Sequence, residues 1–161
     1  MTLYEQVNLY LGALQSIVLV VVLVVYAKQL KAMHQQVDAA RQGSVGQNLL
    51  ALVNFLQSED VREARRIVIL KLADRNFTEW TEEERRAAAK VCSSYGTAGV
   101  VLDSGLVPIH TLIGNWGPSI CRSYVILQGY IREMQKPENN GPGYWATFDS
   151  LYEKATQGQS R

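Results

Sequence analysis

The stretch VNLYLGALQSIVLVVVLVVYA, residues 7–27, contains no charged side chain and decides the first element of the fold. Wound as an α-helix at about 1.5 Å per residue, it extends roughly 31 Å, close to the roughly 30 Å hydrocarbon core of a bilayer. Its centre, Ile17 to Val25, is nine consecutive aliphatic residues. Tyr10 and Tyr26 lie near its two ends, where membrane interfaces favour aromatic rings. The stretch therefore predicts a transmembrane helix, with the lipid bilayer as its partner.

Two alternatives to a membrane anchor are a cleaved signal peptide and a buried helix of a soluble core. A signal peptide needs a basic start and a cleavage site of small residues. Glu5 is the one charged side chain before the stretch, and Tyr26-Ala27-Lys28 offers no such cleavage site. An uncharged run of this length also exceeds what a core helix needs. We therefore expect residues 1–27 to form an anchor.

Basic residues on one side of the stretch predict its orientation. Residues 1–27 contain no Lys or Arg, whereas Lys28, Lys31 and Arg41 follow closely. The positive-inside rule then places residues 28–161 in the cytoplasm and the N-terminus outside, as a single-pass protein. In that reducing compartment we expect Cys92 and Cys121 to be free thiols that pack as small apolar side chains.

Residues 28–44 are predicted to continue the helix beyond the membrane and to end in a hinge. Apolar or small residues recur there at alternating spacings of three and four, the pattern of a coiled-coil seam; they are Leu23, Tyr26, Leu30, Met33, Val37 and Ala40. This seam predicts either a homo-oligomer or a helix folded back on its own cytoplasmic domain. Gly43-Ser44 and Gly46 are expected to break the helix.

Residues 45–158 predict a cytoplasmic α-helical bundle of four to five helices. An apolar stripe covers 45–57, and Ser58 is placed to cap a second helix that carries the apolar run 67–70. Thr81 and Glu84 have the spacing of a capping box at the start of a third helix. In that helix Gly96 and Gly99 indicate either close approach of a neighbouring helix or a bend, and Gly105 is expected to end it.

The second half of the bundle is predicted from turn signals. Residues 106–117 form an apolar connection with a short helix at 108–114, and Gly117-Pro118 is expected to start the next helix, with Trp116 packed onto it. The sequence PENNGPG, residues 137–143, is a loop, and a last helix spans about 144–155.

Charged residues give no sign of a nucleic-acid surface. Sixteen Lys and Arg against fifteen Asp and Glu leave a net charge of +1, whereas nucleic-acid binding needs clustered positive charge. One basic run, Arg62, Arg65 and Arg66, is interleaved with Glu59, Asp60 and Glu63. Ion pairs within that helix or a solvated face are the expected result.

No motif predicts a catalytic residue, a cofactor-binding residue or a metal ligand, so we expect no cofactor. His34 and His110 lie on different elements without a second metal-type residue at helical spacing. Arg122 lies on an otherwise apolar helix face and is expected to pair with Asp103 as a structural clamp. His110, Arg122 and Asp103 are also the set from which an active site would assemble if the protein were an enzyme.

Five blocks follow the anchor in a characteristic order: VREARRIVILKL, FTEWTEEER, YGTAGVVLDSGLVP, WGPSICRSYVILQGYI and YWATFDSLYEKA. In this order the chain resembles an uncharacterised bacterial family of small single-pass membrane-anchored helical proteins, a domain of unknown function. The resemblance covers nearly the whole chain. It implies an inner-membrane anchor with an α-helical cytoplasmic domain, and it supplies no activity, cofactor or site residue.

Two functions are compatible with these patterns. The first is a membrane-anchored cytoplasmic helical module for interaction or regulation, with a protein partner that the sequence does not identify. The second is a membrane-tethered enzyme, more weakly indicated, with a site assembled from dispersed residues. A pocket that joins His110, Arg122 and Asp103 would favour the enzyme, and an exposed apolar patch would favour the module.

Self-association through the seam is tested by Met33→Glu together with Val37→Glu. Anchoring two chains in one membrane raises their effective concentration, so a short seam suffices to pair them. We expect cross-linking between chains to fall in the double variant, while the domain of residues 45–158 keeps its melting temperature. Unchanged cross-linking would show that the seam does not join two chains.

Overall fold

The computed structural model describes residues 3–159, and the side chains of residue 15 and of residues 18–158. Within these bounds the chain forms five α-helices and no strand, which confirms the all-α prediction. The helices are α1 (Leu3–Gln57), α2 (Glu59–Ile67), α3 (Glu82–Asp103), α4 (Ile109–Met134) and α5 (Ala146–Gln159). A π-helical segment, Val68–Leu72, follows α2, and a 3₁₀ turn, Phe77–Glu79, precedes α3.

The chain divides into two compact units, Met1–Gly43 and Ser44–Arg161. We call the second the helical unit; it contains the last part of α1 and all of α2 to α5. Residues 43–46 are helical, so the predicted break of the helix at Gly43-Ser44 and Gly46 is wrong. The physical reason is that the penalty is small: a glycine within a helix costs only about 1 kcal/mol relative to alanine, and good helix formers on either side offset it.

The side chains of α1 from Val18 to Tyr26 are apolar and exposed. The described portion of α1 is long and apolar enough to cross a membrane, a test that a signal sequence near the N-terminus or a core helix also passes. No residue of its most apolar stretch is buried inside the structure. The seam side chains that were predicted from spacing are likewise exposed.

The start of α2 only partly follows the prediction. Ser58 occupies the N-cap position, but its side chain makes no capping hydrogen bond. Glu59 and Asp60 lie in the first turn, where the helix dipole favours negative charge. The apolar run 67–70 is helical as predicted, although most of it belongs to the wider π-helical segment, in which Val68 and Leu72 are buried.

A capping box starts α3, as predicted from Thr81 and Glu84. The Thr81 hydroxyl accepts a hydrogen bond from the Glu84 amide (3.3 Å), and the Glu84 carboxylate accepts one from the Thr81 amide (2.8 Å). Arg75 donates to the same carboxylate at 2.7 Å. The hydrogen bond from the Thr81 backbone, followed by the charge of Arg75, lowers the pKa of Glu84 below its usual value.

Helix α4 differs most from its prediction. It begins at Ile109, directly after Pro108, and runs through Gly117 and Pro118 as one helix, so the short helix at 108–114 and the start at Gly117-Pro118 are wrong. An interior proline removes one backbone hydrogen bond, at a cost of about 3 kcal/mol. Burial on both sides of Pro118 offsets that cost, because Leu112 and Ile120 are both inaccessible to solvent.

The core of the helical unit lies among α2 to α5, the π-helical segment and the end of α1. Its largest fully buried side chains are Tyr95, Phe148, Leu56, Leu72, Leu112, Ile120, Leu127, Ile131, Leu151, Val68, Val91 and Cys92. The ring of Tyr95 stacks on that of Phe148 with centroids 5.2 Å apart, and Tyr124 meets Phe148 edge-on at 5.3 Å. These aromatic contacts join α3 and α4 to α5.

Helix α5 packs directly on the glycines of α3, which is the first of the two alternatives that the sequence left open. A Cβ built on Gly99 would lie 2.5 Å from the Thr147 carbonyl oxygen, and one on Gly96 would lie 3.2 Å from the Thr147 hydroxyl. The helix begins two residues later than expected because Trp145 has a φ of 57°, outside the right-handed helical region. The loop 137–143 and the end of α3 before Gly105, whose φ is +71°, agree with the predictions.

Gly99→Ala is expected to destabilise the helical unit by about 1–3 kcal/mol, because the new methyl group would overlap the Thr147 backbone. The matched control is Gly46→Ala, also within a helix but with no atom inside 4 Å of the new Cβ. The control should raise stability by about 0.5–1 kcal/mol. Thermal unfolding of the two purified variants measures both effects, and equal melting temperatures would contradict the close approach.

Candidate functional site

The residues that sequence patterns offered as an assembled active site do not converge. Asp103 at the end of α3 accepts a hydrogen bond and salt bridge from Lys154 of α5. Arg122 is exposed on α4 and forms no ion pair with any residue that the structure describes. The predicted Arg122–Asp103 clamp is therefore wrong. The physical reason is the packing of α5 on α3, which brings a lysine from much later in the chain to Asp103.

His110 lines a cavity of about 830 Å³ between the first half of α4 and the end of α5. Lys154 and Cys121 share this cavity, and the rest of its lining is largely apolar: Ile109, Ile113, Gly114, Pro118, Gln157 and Gly158. The amine of Lys154 is engaged by Asp103. The cavity therefore holds no unpaired charge that would orient a ligand.

A second and larger recess lies between α2 and α3. This α2–α3 groove has a volume of about 1110 Å³. Its lining is rich in charged side chains of both signs. The cations are Arg62, Arg65, Arg66, Arg86 and Lys90, and the anions are Glu59, Asp60, Glu63 and Glu83. The basic run that the sequence singled out thus faces a concave surface.

Most of the cations in the α2–α3 groove have a carboxylate partner. Arg66 pairs with Glu63 at 2.9 Å, which is the intrahelical ion pair that the sequence predicted. Lys90 of α3 donates to Asp60 of α2 at 2.8 Å, so Asp60 pairs across the groove and not within its own helix. That hydrogen bond, together with the charge of Lys90, lowers the pKa of Asp60 below its usual value.

Arg65 differs from its neighbours because it is buried without an anion. Only 8% of its surface is exposed, and its Nη1 is sealed from solvent with no hydrogen-bond acceptor. Its guanidinium carbon lies 4.6 Å above the centre of the Trp116 ring. Trp116 therefore contacts an arginine of α2 from within α4, and its predicted role at the start of a helix is wrong.

The electrostatics of Arg65 are unbalanced. Burial of a charge without a partner is costly, and buried charges in proteins are normally paired. A cation–π contact of this kind contributes about 2 kcal/mol when desolvated, less than the several kcal/mol that desolvation of an ion costs. The groove therefore contains a guanidinium whose hydrogen-bonding capacity is unmatched by any side chain in the described residues.

Sequence reasoning grouped Arg65 with its exposed neighbours and missed its burial. A signal was present, because Arg65 falls on the apolar stripe of its own helix, four residues after Val61 and three before Val68, both buried. The partner Trp116 is fifty-one residues away in the chain, and no local pattern indicates that contact. The π-helical segment directly after α2 is a further sign, since such turns occur frequently at functional sites.

Other polar groups give weaker candidates. Trp80 Nε1 and Ser123 Oγ are also buried without a hydrogen-bond partner, but neither carries charge. No group of three His, Cys, Asp or Glu residues suited to a metal ion occurs in the part of the chain that the structure describes. Cys92 is fully buried, and this burial raises the pKa of its thiol far above the usual value.

The two thiols should differ in reactivity. Cys121 is partly exposed in the cavity beside His110, whereas Cys92 is inaccessible and its raised pKa keeps it protonated. We expect a thiol reagent to modify one cysteine per native chain and both after denaturation. Cys121→Ser should abolish the native reaction, and equal native modification of Cys92 would contradict this packing.

Comparison of the chain with protein families, curated proteins and solved structures finds no match. The chemistry of the α2–α3 groove is therefore inferred from its own residues. Its distinguishing feature is an uncompensated guanidinium that lies over an indole ring and lines a recess.

Proposed function

We propose that the protein is a membrane-anchored interaction module. In this proposal residues 7–27 span the bilayer, the N-terminus lies outside, and residues 28–161 lie in the cytoplasm. The α2–α3 groove is the surface that receives the partner. The proposed location agrees with the inner-membrane anchor implied by the resemblance to the bacterial family of membrane-anchored helical proteins.

The observation that carries the anchor is the exposed aliphatic run of α1. Val18 to Val25 are eight consecutive aliphatic residues, each between 44% and 59% exposed. An apolar surface of this kind on a helix is costly in water and favourable in hydrocarbon. The absence of charge in the run and the Lys residues that follow it support a bilayer, with the basic end in the cytoplasm.

The helical unit supplies what a binding module needs. It has its own core, formed by buried side chains of α2 to α5 and the end of α1. Its α2–α3 groove offers charge that the unit itself does not neutralise, in Arg65. A folded unit with an unpaired group in a recess supports binding as the function.

The enzyme alternative receives no support from the same residues. Asp103 is paired with Lys154, Arg122 is exposed, and neither of them lines the cavity of His110. General acid–base catalysis requires groups within hydrogen-bond reach of one another or of a common substrate. We therefore retain the interaction module as the proposed function.

Val21→Arg tests the anchor. A charge at the centre of a spanning helix costs about 2.5–3.5 kcal/mol, so the variant should shift from the membrane fraction toward the soluble fraction. The matched control is Val100→Arg, a similarly exposed valine in the helical unit, which should leave the protein in the membrane fraction. Equal partitioning of both variants would contradict the anchor.

Proteolysis of vesicles tests the orientation. Because Lys28, Lys31 and Arg41 favour the cytoplasmic side, a protease should remove residues 28–161 from inverted vesicles and spare them in right-side-out vesicles. A cytoplasmic marker protein enclosed in the right-side-out vesicles controls for leakage. Digestion of the helical unit from the outer face would overturn the proposed topology.

A further inference from the structure

We propose that the α2–α3 groove is a binding site for a single phosphate-type oxyanion, held by Arg65 with help from Arg62. The inference deepens the proposed function, on which it rests only for the choice of the groove as binding surface. It names the chemical group that the partner or ligand presents.

Arg65 is a buried cation without a partner. The side chain is more than nine-tenths buried, lines the groove and has no hydrogen-bond or ion-pair partner among the described residues. Glu84 is the one other buried charge among the described residues, and it is held by Arg75 and the Thr81 amide. An anion from outside would give Arg65 the partner that its own fold withholds.

Trp116 limits the directions from which a ligand can reach Arg65. The guanidinium carbon lies 4.6 Å above the centre of the indole ring, so Trp116 closes off one side of the group. The N–H donors of a guanidinium lie in the plane of the group, as a fork that matches two oxygens of one oxyanion. Because Nη1 is sealed from solvent, an oxyanion in the groove would be bound by the other two nitrogens, Nε and Nη2, which form a fork of the same kind.

Two unpaired positive charges lie in the site. Arg62 lies one helical turn before Arg65, lines the same groove and forms no ion pair with the residues that the structure describes. Two unpaired guanidinium groups on one helix face match a phosphate monoester, whose charge is about −1.5 to −2 at neutral pH. A carboxylate would neutralise only one of them.

The other charges of the groove limit the size of the ligand. The remaining cations of the groove, Arg66, Arg86 and Lys90, are already paired with carboxylates. Glu59 and Glu83 also line the groove and would repel a long polyanion. The balance favours one compact phosphate group over an extended nucleic-acid backbone.

The experiment uses the full chain in phosphatidylcholine nanodiscs titrated with inorganic phosphate. Binding to the folded state alone raises the melting temperature, and we expect a rise of several degrees at saturation. Potassium chloride at equal ionic strength should give no comparable rise, since the fork requires an oxyanion. Trp116 fluorescence should change along the same titration curve, and Trp116→Phe should remove that change.

Three variants locate the site. Arg65→Met should abolish the phosphate-dependent rise without lowering the melting temperature in the absence of phosphate, because it removes an unpaired buried charge. Arg62→Gln, at an exposed position that does not threaten folding, should weaken phosphate binding about tenfold. The matched control is Arg122→Gln, an exposed and equally unpaired arginine outside the groove, which should bind phosphate as the parent chain does.

A second arm identifies the source of the phosphate group. Nanodiscs that contain phosphatidic acid, without free phosphate, present the same chemistry as a lipid headgroup. An Arg65-dependent stabilisation in either arm supports the site, and the arm that responds more strongly names the source. A response equal to that of chloride, or one that survives both Arg65→Met and Arg62→Gln, overturns the proposal and leaves Arg65 a purely structural residue.

The proposed anchor and the proposed anion site are tested by independent measurements. Membrane fractionation of the parent chain reports on the anchor and does not depend on Arg65. Phosphate-induced stabilisation reports on the groove and does not depend on where the chain resides in the cell. A soluble chain with an Arg65-dependent phosphate response would refute the proposed anchor alone, and a membrane-bound chain without that response would refute the anion site alone.

Discussion

The helical unit depends on the close approach of α5 to the glycine-bearing face of α3. Because Gly99 has no Cβ, the Thr147 backbone can lie where any other side chain would be. That distance lets Phe148, Leu151 and Ala155 reach the core, where all three are inaccessible to solvent. The polar contacts of α5 depend on the same placement: its Asp149 accepts a hydrogen bond from Tyr124 at 2.8 Å, and its Lys154 pairs with Asp103.

Helix α3 also forms one wall of the α2–α3 groove, so the same element supports the core and the candidate site. Lys90 joins it to α2 through Asp60, while Arg65 joins α2 to α4 through Trp116. The first contact is an exposed ion pair, worth little by itself in water. The second is buried and lacks an anion, so the two contacts that hold α2 to its neighbours differ in kind.

Local chemistry in the sequence was enough to predict the parts of the fold that depend on neighbouring residues. The capping box of Thr81 and Glu84 and the loop at 137–143 follow from rules of short range, whereas Gly99 indicated a close approach without identifying Thr147 as the residue that makes it. The same rules failed at Pro118, because burial of Leu112 and Ile120 offsets one lost hydrogen bond. They also failed for Asp103 and Arg65, whose contacts, Lys154 and Trp116, are each fifty-one residues distant.

The π-helical segment Val68–Leu72 bears on how this chain tolerates changes of length. A π-turn holds one residue more than an α-turn, so it is the form a helix takes when a residue is inserted and both ends stay in place. Here both ends are fixed, since Val68 and Leu72 are buried, while Leu70 between them is exposed. Related chains that lack one residue at this point are therefore expected to keep the same bundle, with a regular α-helix where this protein has the wider turn.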